Sequence, residues 1–286
     1  FERVAASSRE LAGTPLKAQI TSWPDPSQCF EELGPQRVAE LDIDVCVLAL
    51  PNTISRPFVE ALSPEVKILD LSSDWRFDDA WQYGWPERFR EQIATATRVA
   101  NPGCYATGMQ AAIWPVRDLL TTPPHCFGVS GYSGAGTTPS PKNDPEVLRD
   151  NLLPYGLVDH THEREVSAQM GHEIRFFPHV ASYFRGISLT ISLQLEGTSH
   201  DRDEVIARYE RAYANEPLVH ILRDTIPHVR DNVGAHHVTL GGFQLDATGS
   251  RIVIVATLDN LLKGAATQAM QNLNLMAGFP EWTAIL

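Results

Sequence analysis

The run at 41–50 (LDIDVCVLAL) is almost continuously apolar and ends in Pro51 and Asn52, the pattern of a strand buried on both faces of a parallel sheet. Residues 66–72 (VKILDLS) repeat it, 98–100 give a third, shorter strand, and 57–62 can form a helix between the first two. Strand, helix, strand in that order predicts an open, doubly wound sheet. After Cys104 the texture changes. Residues 105–120 read as a helix, 125–132 as a strand entering the turn Ser133-Gly134-Ala135-Gly136, and 139–154, rich in Pro, Asn and Asp, as a long loop. Strands are predicted at 173–177, 186–195, 237–245 and 252–258, with a helix at 203–214, and their alternation favours a mostly antiparallel sheet. Residues 260–277 close the chain as an amphipathic helix with Leu261, Ala265, Ala269, Leu273 and Met276 along one face.

With 286 residues, 43% of them hydrophobic, the chain is long enough for two modest domains with a proper core. A net charge of −12 argues against nucleic acid, whose phosphates need a basic surface. No apolar run approaches the roughly 20 residues of a membrane-spanning helix and no signal peptide is visible, so a cytoplasmic protein is expected, or one of the mitochondrial matrix if eukaryotic. Cys29, Cys46, Cys104 and Cys126 form no C-x-x-C pair and have no histidines at ligand spacing, so neither a disulfide framework nor a metal site is expected. The first residue is not an initiator, and 1–9 (FERVAASSR) already read as a strand running into a polar turn, so a preceding segment is expected.

Cys104 stands apart from the other three. It follows a Pro-Gly turn after a short strand and opens a helix, where unpaired N–H groups and the helix dipole should pull its pKa below about 8.5 and could hold an oxyanion. Cys29, Cys46 and Cys126 lack that setting and read as structural.

The run 99–115 (VANPGCYATGMQAAIWP) resembles the active-site signature of the N-acetyl-gamma-glutamyl-phosphate reductases, within the aspartate-semialdehyde dehydrogenase-like superfamily. Blocks 71–76 (LSSDWR), 130–136 (SGYSGAG), 160–165 (HTHERE) and 259–266 (DNLLKGAA) follow in family order, so the similarity covers nearly the whole chain. It implies a Rossmann-like NADP-binding domain at 1–103, completed by the C-terminal helix 259–286, and an α+β catalytic and oligomerisation domain at 104–258, assembled as a homodimer or homotetramer. It also implies that the Cys104 thiolate attacks an acyl phosphate to give a thioester, which NADPH reduces to the aldehyde. His160 is favoured as the acid–base imidazole with His162 orienting it; His179 ranks lower, and His236 and His237 read as structural.

At the cofactor, Ser7, Ser8 and Arg9, at the end of a 4–9 segment without a carboxylate, suit the 2′-phosphate of NADP. Leu50 and Pro51 end the next strand beside the crevice, Ser133 and Gly134 form a small-residue turn for the nicotinamide, and Asn260 opens the segment that returns to the cofactor domain. The resemblance places a glycine-rich phosphate loop upstream of Phe1, and nothing after Phe1 replaces it, so this stretch alone is expected to bind NADPH weakly. For a substrate with a carboxylate and a phosphate, Arg76 and Arg185 are the chosen cations and Lys142 a third. Many relatives carry an arginine soon after the Ser-Gly-Ala-Gly turn, where this chain has 137–142 (TTPSPK), which leaves the phosphate partner open. The alternatives are the same chemistry on an aspartyl or aminoadipyl phosphate, a Cys-His hydrolase, or a non-catalytic binding protein.

Overall fold

In the computed structural model, which describes residues 5–286, the first apolar runs form a four-stranded parallel sheet. Its strands are β1 (Val45–Leu48), β2 (Lys67–Asp70), β3 (Gln82–Tyr83) and β4 (Arg98–Ala100), in the order β1-β2-β4-β3. The helix Arg56–Ala61 joins β1 to β2 as expected. β1 departs from expectation, being shorter than 41–50 and not buried on both faces, with Val47 46% exposed. It lies at the edge of the described sheet with one neighbour, whereas β2 has strands on both sides and buries Ile68, Leu69 and Asp70. The sequence pattern also missed β3 and the helix Pro86–Thr95, which Pro86 opens at a position where the missing N–H costs nothing. The strand expected within 1–9 falls largely on residues 1–4, which lie outside the described residues; from Ala5 on, Ser7 forms an isolated parallel bridge to Glu31. Here Ser8 Oγ accepts the Leu11 N–H in a local turn, and Ser7 Oγ accepts the N–H of the distant Leu33.

The second sheet has seven strands, β5 (His125–Gly131), β6 (Leu152–Pro154), β7 (Arg175–Ala181), β8 (Ile187–Gln194), β9 (Val219–Ile221), β10 (Val238–Leu245) and β11 (Arg251–Leu258), in the order β6-β7-β5-β8-β11-β10-β9. β5 pairs β7 and β9 pairs β10 in parallel; the other four pairings are antiparallel. One face packs on the helices Cys104–Ile113 and Arg202–Ala212, where Tyr105, Met109, Phe176, Leu189, Ile254 and Tyr209 share one core. Along the other face Phe127 and Phe177 remain 41% and 38% exposed. The helix expected at 105–120 ends at Ile113 and tightens to a 3₁₀ turn over Trp114–Leu119, because Pro115 cannot donate to the preceding turn. The segment read as loop, 139–154, carries the short helix Pro145–Leu148 and edge strand β6.

The last helix is where periodicity misled most. Residues Leu262–Ala266 form a π-turn and only Thr267–Met276 an α-helix. Ala269 and Met276 pack against Leu69, Ile93 and Val99, but the opposite polar side is buried too. Gln268 and Asn272 both donate to Gly84 O (3.0 and 2.8 Å), and Asn272 also to Asn101 Oδ1 (3.0 Å). Asn274 donates to Glu281 O and Thr283 O. Their amide N–H groups are satisfied by carbonyls while the side-chain oxygens of Gln268, Asn272 and Asn274 are buried without partners, so the helix is held on two sides at some cost.

Asp70, at the carboxyl end of β2, is fully enclosed with Oδ1 unpartnered. Burial raises its pKa to about 6, against the Ser72 hydroxyl that bonds its other oxygen. Because the folded protein holds this proton more tightly than the unfolded chain does, the group costs stability as pH rises through 4 to about 6. Asp70→Asn should therefore gain about 1–2 kcal/mol at pH 8, allowing for screening at the strand end. Urea denaturation at pH 8 and pH 4 checks this: the gain should vanish at the lower pH.

Candidate active site

From β4 the chain turns through Asn101, Pro102 and Gly103 into the helix Cys104–Ile113, with Gly103 as its N-cap in an extended conformation. Cys104 therefore sits at the first helical position, as the sequence suggested. The turn is held from several sides. Asn101 N–H donates to Asp70 O (2.7 Å), Arg76 Nε to Asn101 O (2.9 Å) and Gly103 N–H to Glu165 Oε1 (2.9 Å). A side chain at Gly103 would place its Cβ 2.1 Å from His162 Nε2 and 2.8 Å from Arg76 Nη1, so only glycine lets those groups close over the turn. Behind Cys104 lies the π-turn, where a Cβ on Gly264 would come within 2.7 Å of the cysteine Cβ.

Cys104 opens onto a cavity of about 280 Å³ at the carboxyl ends of β1, β2 and β4, the crevice in which open α/β sheets bind ligands. The parallel-sheet side contributes Asn52, Ser73 and Arg76. The other sheet and its loops contribute Ser130, Gly134, Ala135, Lys142, Tyr155, His160 and His162. A larger, more open and mostly apolar hollow of about 860 Å³ lies under the 137–145 loop, touching Ser133 and Leu261. It holds neither a nucleophile nor an imidazole, so the smaller cavity is the chemical one.

The expected low pKa of Cys104 is not found. Burial pushes the thiol up to about 11, and the Tyr105 N–H and the Arg76 charge offset this only in part. The helix start is present, but an enclosed sulfur loses more solvation than one helix terminus returns, so the resting group is a thiol that needs a base. Two imidazoles share the cavity with it, both held neutral. His160 is the N-cap of the helix Thr161–Met170, and its Nδ1 accepts the His162 N–H at 3.1 Å. Neutral His160 therefore carries its proton on Nε2. Burial, with Lys142 nearby, lowers its pKa to about 4. His162, whose ring centroid lies 5.0 Å from that of His160, is lowered well below 6.5 by burial and by the charge of Arg76, and its Nδ1 is shut from solvent without a partner. The two side chains do not diverge at the helix start, because one caps the helix while the other lies in its first turn.

Lys142 joins this cavity and lies 5.0 Å from the Tyr155 ring. Arg76 borders it too, with Nη1 on Glu165 Oε2 (3.0 Å) and Nη2 on Leu71 O (3.0 Å). Arg185 is not brought there. Its guanidinium pairs with Asp259, whose other contacts are the N–H groups of Gly234, Leu261 and Leu262. Asn260 bridges Ser133 Oγ (3.0 Å) and Gly186 N–H (2.7 Å), fixing the small-residue turn from behind. Leu50 packs partly into the parallel-sheet core while Pro51 is exposed, and neither borders the cavity, nor do Ser7, Ser8 or Arg9. His179 lies on β7, its ring tilted against that of Phe127 (centroids 4.5 Å apart). His236 bonds Thr267 and His237 stacks on His220. Sequence reasoning missed Asn52, Ser73, Tyr155 and Glu165. For Glu165 a signal existed: three residues after His162 on a helix, it shares that residue's face.

A cysteine at a helix start between a parallel nucleotide-type sheet and a mostly antiparallel sheet defines the semialdehyde dehydrogenase class of protein. Residues 1–96 match the family profile described as "Semialdehyde dehydrogenase, NAD binding domain" and 104–260 that described as "Semialdehyde dehydrogenase, dimerisation domain". The fold is shared with a probable aspartate-semialdehyde dehydrogenase from Pseudomonas aeruginosa (TM-score 0.76, 19% identity, 97% of this chain and 90% of the other). Aspartate semialdehyde dehydrogenase II from Vibrio cholerae is similar to a like degree (TM-score 0.73, 19% identity, 95% and 88%). Proteins named N-acetyl-gamma-glutamyl-phosphate reductase are 53% identical in Xanthomonas campestris pv. campestris strain B100 (100% of this chain, 90% of the relative) and 52% identical in Stenotrophomonas maltophilia strain R551-3 (98% and 88%). The chain belongs to the N-acetyl-gamma-glutamyl-phosphate reductase family.

Proposed function

We propose that this chain reduces N-acetyl-γ-glutamyl phosphate to N-acetylglutamate semialdehyde with NADPH in arginine synthesis, with Cys104 carrying the acyl group as a thioester. The observation that carries this reading is a helix-start cysteine thiol sharing one cavity with two neutral imidazoles at the ends of a parallel sheet. In place of His160, which the sequence favoured, His162 is the proposed acceptor of the thiol proton, because its neutral ring lies against the turn that bears the cysteine. The sulfur then bonds to the acyl carbon, the carbon–oxygen bond to phosphate breaks, and phosphate leaves with the electron pair. Lys142, and the N–H groups of Arg76 not spent on Glu165, Asn101 and Leu71, are the local cations for phosphate and carboxylate. His160 offers an Nε2–H to the acyl oxygen as that atom gains charge.

The cavity wall suits the reacting end of a dinucleotide, whose remainder would extend beyond it. Uncharged Asn52 and Ser73 stand at two strand ends, and Gly134 and Ala135 leave room for a flat ring. Ser133 and Asn260 support that turn, Leu50 and Pro51 would flank the cofactor, and Ser7, Ser8 and Arg9 suit a 2′-phosphate, since their hydroxyl protons and guanidinium are not used as donors in the contacts above. When bound, NADPH supplies the hydride that reduces the acyl group. Residues 1–103 with 259–286 would form the cofactor domain and 104–258 the catalytic and oligomerisation domain. The open sheet face around Phe127 and Phe177 suits a homodimer or homotetramer. No helix among the described residues is long and apolar enough to cross a membrane, in keeping with the cytoplasm as its place of work.

Steady-state turnover with N-acetylglutamyl, aspartyl and aminoadipyl-type phosphates tests the substrate. The acetylglutamyl compound should exceed the others by about 100-fold or more in kcat/KM. Equal rates on aspartyl phosphate, or release of phosphate at the full rate without nicotinamide, would reject the proposal.

A further inference from the structure

Resting on that reading of Cys104, we propose that Glu165, paired with Arg76, is the positioning residue that sets the nucleophile turn and thereby the direction in which the cysteine's N–H groups point. Glu165 is 1% exposed. Its carboxylate gathers three groups from three parts of the chain: Oε1 accepts the Tyr83 hydroxyl (2.7 Å) and the Gly103 N–H (2.9 Å), and Oε2 pairs with Arg76 (3.0 Å). Arg76 in turn grips Asn101 O and Leu71 O, so the residues before Cys104 are held at both their carbonyl and N–H sides. Tyr83 is itself fixed by Gln110 Nε2, one and a half turns further along the nucleophile's own helix (2.8 Å).

This arrangement has a chemical consequence. By taking the Gly103 N–H, Glu165 commits the N-cap donor to the protein and leaves those of Cys104 and Tyr105 for the sulfur and for an acyl oxygen on it. The two charges also act on the sulfur with opposite sign, the carboxylate disfavouring the thiolate and the guanidinium favouring it. Sequence reasoning gave Arg76 to the substrate alone; most of its guanidinium is bound up in the turn.

Glu165→Gln keeps one oxygen for the Gly103 and Tyr83 donors but turns an amide N–H toward Arg76, where two donors meet. The test follows the alkylation of Cys104 by iodoacetamide across pH, read on the Cys104 peptide by mass spectrometry, together with steady-state kinetics. For Glu165→Gln the alkylation midpoint should move to lower pH while kcat falls about 10- to 100-fold, as misplacement of a reacting group does, with KM for the acyl phosphate little changed. For Arg76→Met the midpoint should move to higher pH. A more acidic thiol in a slower enzyme is what a merely structural glutamate would not produce. Should Glu165→Gln fail to fold, Tyr83→Phe removes one ligand of the carboxylate and should lower kcat several-fold at unchanged KM. Midpoints that move the same way in the Glu165 and Arg76 variants, or full kcat in Glu165→Gln or in Tyr83→Phe, would overturn the proposal. If Cys104 itself were not the nucleophile, Cys104→Ser would retain turnover, which separates the two failures.

Discussion

Cys104→Ser should lower kcat/KM by about 10³-fold or more, with the fold and the thermal midpoint nearly unchanged. A serine hydroxyl is a far poorer nucleophile than a thiol at neutral pH, and its only help would come from His162, a weak base in this setting. Shape is nearly conserved, since oxygen replaces sulfur at the cavity wall and the packing partner Gly264 is unaffected. Single-turnover mixing of enzyme with acyl phosphate, without nicotinamide, should give a burst of one phosphate per active chain in the wild type and none in the variant. A burst in Cys104→Ser would place the nucleophile elsewhere.

The second large effect is on stability. Lys263 and Glu87 have side chains that are each 1% exposed and meet at 2.5 Å, and Lys263 Nζ also donates to Gln271 Oε1 (2.6 Å). Lys263→Met removes one charge and leaves the other enclosed, which should cost about 3–5 kcal/mol. Glu87→Gln with Lys263→Met should recover much of that, because the stranded charge is gone. Urea denaturation of the single and double variants checks the coupling, and a double variant no more stable than Lys263→Met would show that the loss comes from packing alone. The pair lies in a longer chain that reaches the surface at Arg90: Gln271 donates to Glu281, which pairs with Arg90, which pairs with Glu216.

Most of the strands were legible because their side-chain periods are set by burial, and the nucleophile because a Pro-Gly turn before a helix is a local signal. What could not be read has a common cause in long-range pairing. β3 is two residues long and exists through its pairing to β4. The buried amides of Thr267–Met276 look like a solvent face until their carbonyl partners at Gly84 and Glu281 are in view. The acidity of Cys104 was misjudged for the same reason: the helix terminus is written locally, but the atoms that enclose the sulfur come from distant segments. Arg185 was chosen by its neighbours in sequence, yet its partner Asp259 is 74 residues away.

The π-turn at Leu262–Ala266 gives the site a schedule. Gly264 closes the back of Cys104, and it follows the nucleophile by 160 residues. During synthesis on the ribosome both sheets can be complete through β11 while Cys104 still lacks that wall. The wall behind the thiol is thus added only after β11 has been made, and nascent chains that stall before Leu262 should carry Cys104 as a more accessible cysteine.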